Sequence, residues 1–97
     1  MGSEITSEKI EKYIDITTRA LEKVVIAVPE ASTLRRNAED FLNMARSYHS
    51  DAMHFKASGD IVNAFACINY AHGWLDAGAR LGFFDVGGDS ILFTLGG

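Results

Sequence analysis

Between Asn69 and Asp85 the chain reads NYAHGWLDAGARLGFFD, and four of these side chains could do chemistry: His72, Trp74, Asp76 and Arg80. His72 and Asp76 are four residues apart, a spacing that brings both onto one face of a helix. A carboxylate beside an imidazole can orient it for general-base work. The same two groups can also simply satisfy one another inside a bundle. Catalysis needs a nucleophile as well, and Cys67 stands about 140° around the helix from His72, poor geometry for a Cys-His dyad. The serines near the pair fall in loops or at exposed helix positions. The segment GDIVNAFACINYAHG lacks the strand and the glycine spacing of a phosphate-cradling loop. No residue is therefore assigned as catalytic, and a satisfied polar cluster is the expected role of the pair.

The frame that must position these groups follows from composition. With 97 residues, 47% hydrophobic and 23% charged, the chain has the profile of one small globular domain, residues 1–97. A formal charge of −4 and a pI near 5.2 give no electrostatic reason to bind phosphate backbones, so nucleic acid is not an expected partner. Cys67 is the single cysteine, which rules out an intramolecular disulfide or a thiolate cluster and suits a reducing cytoplasm. The opening residues, MGSEITSEKIEK, have no apolar core of a signal peptide, and no run of about 18 apolar residues occurs. No membrane association is expected.

Hydrophobic periodicity predicts an all-α, antiparallel three-helix bundle. Ile10, Tyr13, Ile14, Thr17, Ala20, Leu21, Val24 and Val28 form one stripe, predicting a helix over about 7–28 that stops at Pro29. Leu34, Ala38, Phe41, Ala45, Tyr48, Ala52 and Phe55 predict a second over about 33–57, with Ser32 or Thr33 as N-cap. Gly59 and Asp60 then end one helix and cap the next, predicted over about 60–81. Small residues dominate its second half, and Gly73 and Gly78 are expected to admit a neighbouring backbone. Residues 83–97 read as a short non-helical, extended apolar tail whose strand-like SILFTL has no partner strand to join.

A tight turn at Ser58 and Gly59 pairs residues whose numbers sum to about 117. That sets His72 beside Arg46, Asn69 and Tyr70 beside Tyr48 and His49, and Asp76 beside Phe41. The candidate groove or polar cluster is then Arg46, Tyr48, Asn69, His72, Trp74, Asp76 and Arg80, with Asn43 or Asp15 as further members and Arg80 able to meet Glu39 or Asp40. His54 and His72 lie about 13 Å apart along the bundle, and Asp51 with His54 supplies only two ligands, so no metal site or cofactor is expected.

The segment ARSYHSDAMHFKASGDIVNAFACINYAHGWLDAGARLGFFDV, most specifically YAHGWLDAGARLG after its GD turn, resembles the archaeal family DUF357, a domain of unknown function. The resemblance runs from about Leu34 to Leu95, and implies a small cytoplasmic helical bundle with no activity to carry over. A looser similarity links the hairpin to the HEPN group of helical nucleotide-binding and RNase domains. That group's Arg, four to six residues, His motif is absent: Arg46 and His49 enclose two residues, Arg46 and His54 seven.

Two functions remain open. One is a non-enzymatic protein-interaction or oligomerisation module working through the third helix and the tail, where Phe83, Phe84, Ile91, Leu92 and Phe93 look exposed. The alternative is a small-ligand or catalytic pocket centred on His72 and Asp76, walled by Tyr48, Asn69 and Trp74.

Overall fold

A computed structural model describes residues 6–87. Three helices, α1 (Ser7–Lys23), α2 (Arg35–Ala57) and α3 (Ile61–Arg80), form the bundle, and two short strands, β1 (Val25–Ile26) and β2 (Phe84–Asp85), close one end. The all-α three-helix reading holds. α2 and α3 make the tightest pair, and α1 leans chiefly on α3.

Each end of the hairpin follows from its residues. Ser58 closes α2, and Gly59, at φ +85°, takes the left-handed conformation a side chain would resist. The Asp60 N–H then reaches the Phe55 carbonyl at 2.8 Å and the Gly59 N–H reaches Lys56 at 3.1 Å, a Schellman ending. Asp60 immediately caps α3, its carboxylate accepting from the Asn63 N–H at 3.1 Å. α3 ends in the same way. Gly82, at φ +80°, lets the Phe83 N–H reach the Gly78 carbonyl at 2.9 Å. This turn throws Phe83 and Phe84 back onto the bundle.

Three expectations need correction here. α1 stops at Lys23 rather than near Val28, because Val24, Val25 and Ile26 are β-branched and find a ladder partner: Val25 pairs with Asp85 and Ile26 with Phe84, antiparallel. The Ala27 N–H extends the ladder to the Phe83 carbonyl at 2.8 Å. The tail's first residues thus do have a strand to join. Phe83 and Phe84 are buried, not exposed, and Val86 with them. The SILFTL segment lies outside the described residues. Finally, α2 begins at Arg35 with no side-chain cap, since the Ser32 hydroxyl is used one turn earlier, accepting from the Leu34 N–H at 3.1 Å. The Arg35 side chain anchors this connection through the Val28 carbonyl, at 2.9 Å.

Two apolar clusters fill the interior. Ile10 and Ile14 meet Ala52, Ala64 and Ile68 at the hairpin end. Ala20, Ala38, Leu42 and Leu75 meet Phe83, Phe84 and Val86 at the other. α1 therefore runs parallel to α3 and antiparallel to α2. Ile10, Ile68 and Leu75 are almost completely buried, each contributing about 1.5–3 kcal/mol.

Candidate functional site

Between the two clusters lies a belt of polar contacts that holds α1 to the hairpin. Thr17 and Thr18 are consecutive on α1 and so point in different directions, one toward each neighbouring helix. Thr17 Oγ1 is hydrogen-bonded to His72 Nδ1 of α3 at 3.1 Å, and Thr18 Oγ1 to His49 Nε2 of α2 at 2.7 Å. Burial pushes the His49 imidazole below its ordinary pKa, so the neutral ring is favoured. His72 Nε2 is 3.6 Å from Asp76 Oδ1, too long for a good hydrogen bond, the two side chains meeting as i, i+4 neighbours on α3.

Hydroxyl, imidazole and carboxylate thus stand in line as Thr17, His72 and Asp76. Burial decides what the line can do. Thr17 is 1% exposed, so no substrate carbonyl reaches its oxygen. The arrangement satisfies buried polar groups and fixes the approach of α1. Facing solvent, His72 and Asp76 share a cleft of about 350 Å³ between α1 and α3 with Tyr13, Thr17 and Asn69.

A second hollow lies on the outer side of α3. It has a volume of about 560 Å³ and is lined by Ala66, Asn69, Tyr70, Gly73, Trp74 and Ala77. Its walls are aromatic side chains braced from α2. The Tyr70 ring stacks on Tyr48 with centroids 5.3 Å apart, and Trp74 meets Phe41 edge-on at 4.9 Å. Phe41 in turn contacts Phe83 at 5.1 Å, so an aromatic relay ties the wall to the tail's first residues. The floor is made by small residues. Gly78 accepts the Phe84 ring where a Cβ would overlap it, whereas a Cβ at Gly73 would meet nothing within 4 Å. The close approach expected at both glycines occurs only at Gly78, and there it is to a side chain.

The seven candidate residues therefore divide. His72, Asp76 and Asn69 gather at the cleft; Asn69 and Trp74 line the outer groove, with Tyr48 supporting its wall. Arg46 is exposed and lines a separate depression with Ile26, Glu39, Leu42 and Asn43. Asp15 pairs with Arg19 at 3.8 Å, and Glu39 with Arg35 at 3.3 Å. Arg80 is exposed at the end of α3, and no ion pair joins it to Glu39 or Asp40 among the described residues. Thr17, Thr18 and His49 are the members that sequence reasoning passed over. Their signal was a hydroxyl pair on the buried side of α1, where Thr17 reads as one more stripe residue. The Cys67 thiol is pushed up in pKa by burial and by Asp51 and Asp60, which favours the unreactive protonated form. Among the described residues no three His, Cys, Asp or Glu side chains converge as a metal site.

The family model described as a protein of unknown function, DUF357, matches residues 12–84. The chain belongs to the DUF357 family. The match differs in extent from the resemblance legible in the sequence: it takes in most of α1 and stops at Phe84, the first residue of β2. The aromatic relay and the polar belt thus fall inside the DUF357 region. No curated protein and no solved structure matches the chain. Among the described residues no DUF357 helix is long and apolar enough to cross a membrane.

Proposed function

We propose that this DUF357 chain is a non-enzymatic interaction module whose docking face is the outer side of α3. The observation that carries the reading is that α3 is apolar on two sides. Its inner face is Ala64, Ile68, Ala71, Leu75 and Gly78. Outside the bundle, Val62 is 70% exposed, Tyr70 62% and Leu81 61%, with Ala66, Gly73 and Ala77 on the same side. Apolar side chains gathered in one exposed patch mark an interaction surface. The partner surface is protein, in a reducing cytoplasm as the lone Cys67 suggests, and the acidic charge argues against nucleic acid. A photo-crosslinking residue at Ala66 should capture one defined protein, another copy included, while the same group at Arg36 captures none. Equal capture at both positions, or none at either, would refute the docking face.

The cleft favours a second reading, a small polar ligand held by Asn69, His72 and Asp76. It predicts that a bound ligand moves the His72 ring resonances and leaves those of His54, at the hairpin, unchanged.

A further inference from the structure

We infer that the partner of the α3 face is a second copy of this chain, laid antiparallel against it about a two-fold axis that passes between Ala71 and His72. The inference rests on the docking-face reading above and names the occupant of that face.

The pattern of the face is the first argument. Both helices rise about 1.5 Å per residue, so an antiparallel copy centred on that axis sets side by side residues whose numbers sum to about 143. The outer groove is lined by Ala66, Asn69, Tyr70, Gly73, Trp74 and Ala77. Under this rule they match one another: Ala66 meets Ala77, Asn69 meets Gly73, and Tyr70 meets Trp74. The face is complementary to itself, which a two-fold contact requires and an unrelated partner does not. Ala66, Gly73 and Ala77 run along the middle of the seam, and side chains this small let two helices approach to about 8 Å. The space beside Gly73, where a Cβ would meet nothing within 4 Å, receives Asn69 of the other copy. A parallel copy would instead set Tyr70 on Tyr70 and Trp74 on Trp74.

Charge is the second. The chain carries a formal charge of −4, so two copies repel one another unless they meet where neither is charged. None of the six described residues lining the groove is charged. Antiparallel packing also sets the positive N-terminal end of each α3 beside the negative C-terminal end of the other. The exposed Arg80 then lies within about one turn, along the axis, of the Asp60 that caps the other copy's α3. Area is the third. The strip from Val62 to Leu81 is about 29 Å long and one helix, about 10–12 Å, wide. Its footprint of roughly 300 Å² falls well short of the about 800 Å² a side of a standard interface. The face fits a single helix, and the dimer is a weak and reversible one.

Sedimentation of the full chain should show its mass rising from 10.6 kDa toward twice that value as the concentration is raised to roughly 1 mM. Ala66→Glu, at an exposed position, should abolish the rise and leave the helical circular dichroism unchanged. Orientation is read by disulfides in a Cys67→Ser background. Ala66→Cys and Ala77→Cys chains, mixed, should link to each other. Neither should link to itself, because two copies of one position stand about 16 Å apart along the axis, beyond the about 7 Å between Cα atoms that a disulfide spans. A chain that stays monomeric throughout overturns the inference, as does a dimer unaffected by Ala66→Glu or one in which Ala66→Cys links to itself. Each of these results leaves the docking face standing if the probe at Ala66 captures a defined protein of another kind, so the two readings fail separately.

Discussion

Gly73 and Gly78 sit five residues apart on one helix, and the structure gives them opposite roles. Alanine at either position gains about 1 kcal/mol of helix propensity. At Gly73 the new methyl meets nothing within 4 Å, so the whole gain should appear as stability. For a domain of this size that is a rise in Tm of about 4–8 °C. At Gly78 the methyl would overlap the ring of Phe84, which is 4% exposed and pinned by the β1–β2 ladder. Forcing a methyl into a filled core costs about 1–3 kcal/mol. The net for Gly78→Ala is a loss of up to about 2 kcal/mol once propensity is subtracted. Urea unfolding followed by far-ultraviolet circular dichroism measures both. Shifts of the same sign in the two variants would refute the packing account of α3.

Three further outcomes follow from the polar belt and the tail. Thr17→Val keeps the shape and removes the hydroxyl that His72 Nδ1 uses, so it should cost about 1–2 kcal/mol in urea unfolding, whereas Thr17→Ser should recover part of the loss; equal stability of Val and wild type would show that the bond contributes nothing. Burial lowers the pKa of His49 from 6.5, so below that pH the unfolded chain binds more protons than the folded one and stability falls as the solution is acidified toward the folded value. The urea midpoint should decline between neutral and mildly acid pH, and His49→Gln should flatten that slope; an unchanged slope would remove His49 as its source. Phe84→Ala, at a position sequence reading assigned to an exposed tail, should cost about 3–5 kcal/mol, and a loss under about 1 kcal/mol would place Phe84 outside the core.

The helices were legible because their stripes are long and their ends carry strong chemistry. Asp60 and Gly59 mark the hairpin unambiguously, and the predicted pairing sum is met by Tyr48 with Tyr70 and Phe41 with Trp74, both within a few residues of it. The end of α1 was not legible. Val24 and Val28 continue a helical stripe, and only the Gly82 turn, nearly sixty residues on, supplies the strand that makes extension preferable. Local sequence cannot report a partner delivered from that distance. The same turn explains why Phe83 and Phe84 looked like surface: a periodicity argument stops at Gly82, but the Schellman hydrogen bonds reverse the chain there and place both rings in the core. The polar belt was hidden for a different reason. His72 and Asp76 are visible as a pair because they share a helix, while Thr17–His72 and Thr18–His49 join residues 55 and 31 apart. A three-helix bundle offers several ways to turn α1 about its axis, and apolar contacts alone choose poorly among them. Two adjacent threonines, each matched to a histidine on a different helix, permit one rotation only, because a turn of either sign breaks one of the bonds. On this argument the histidines of the belt set how α1 meets the hairpin, and the outer face of α3 is left as the surface we propose for docking.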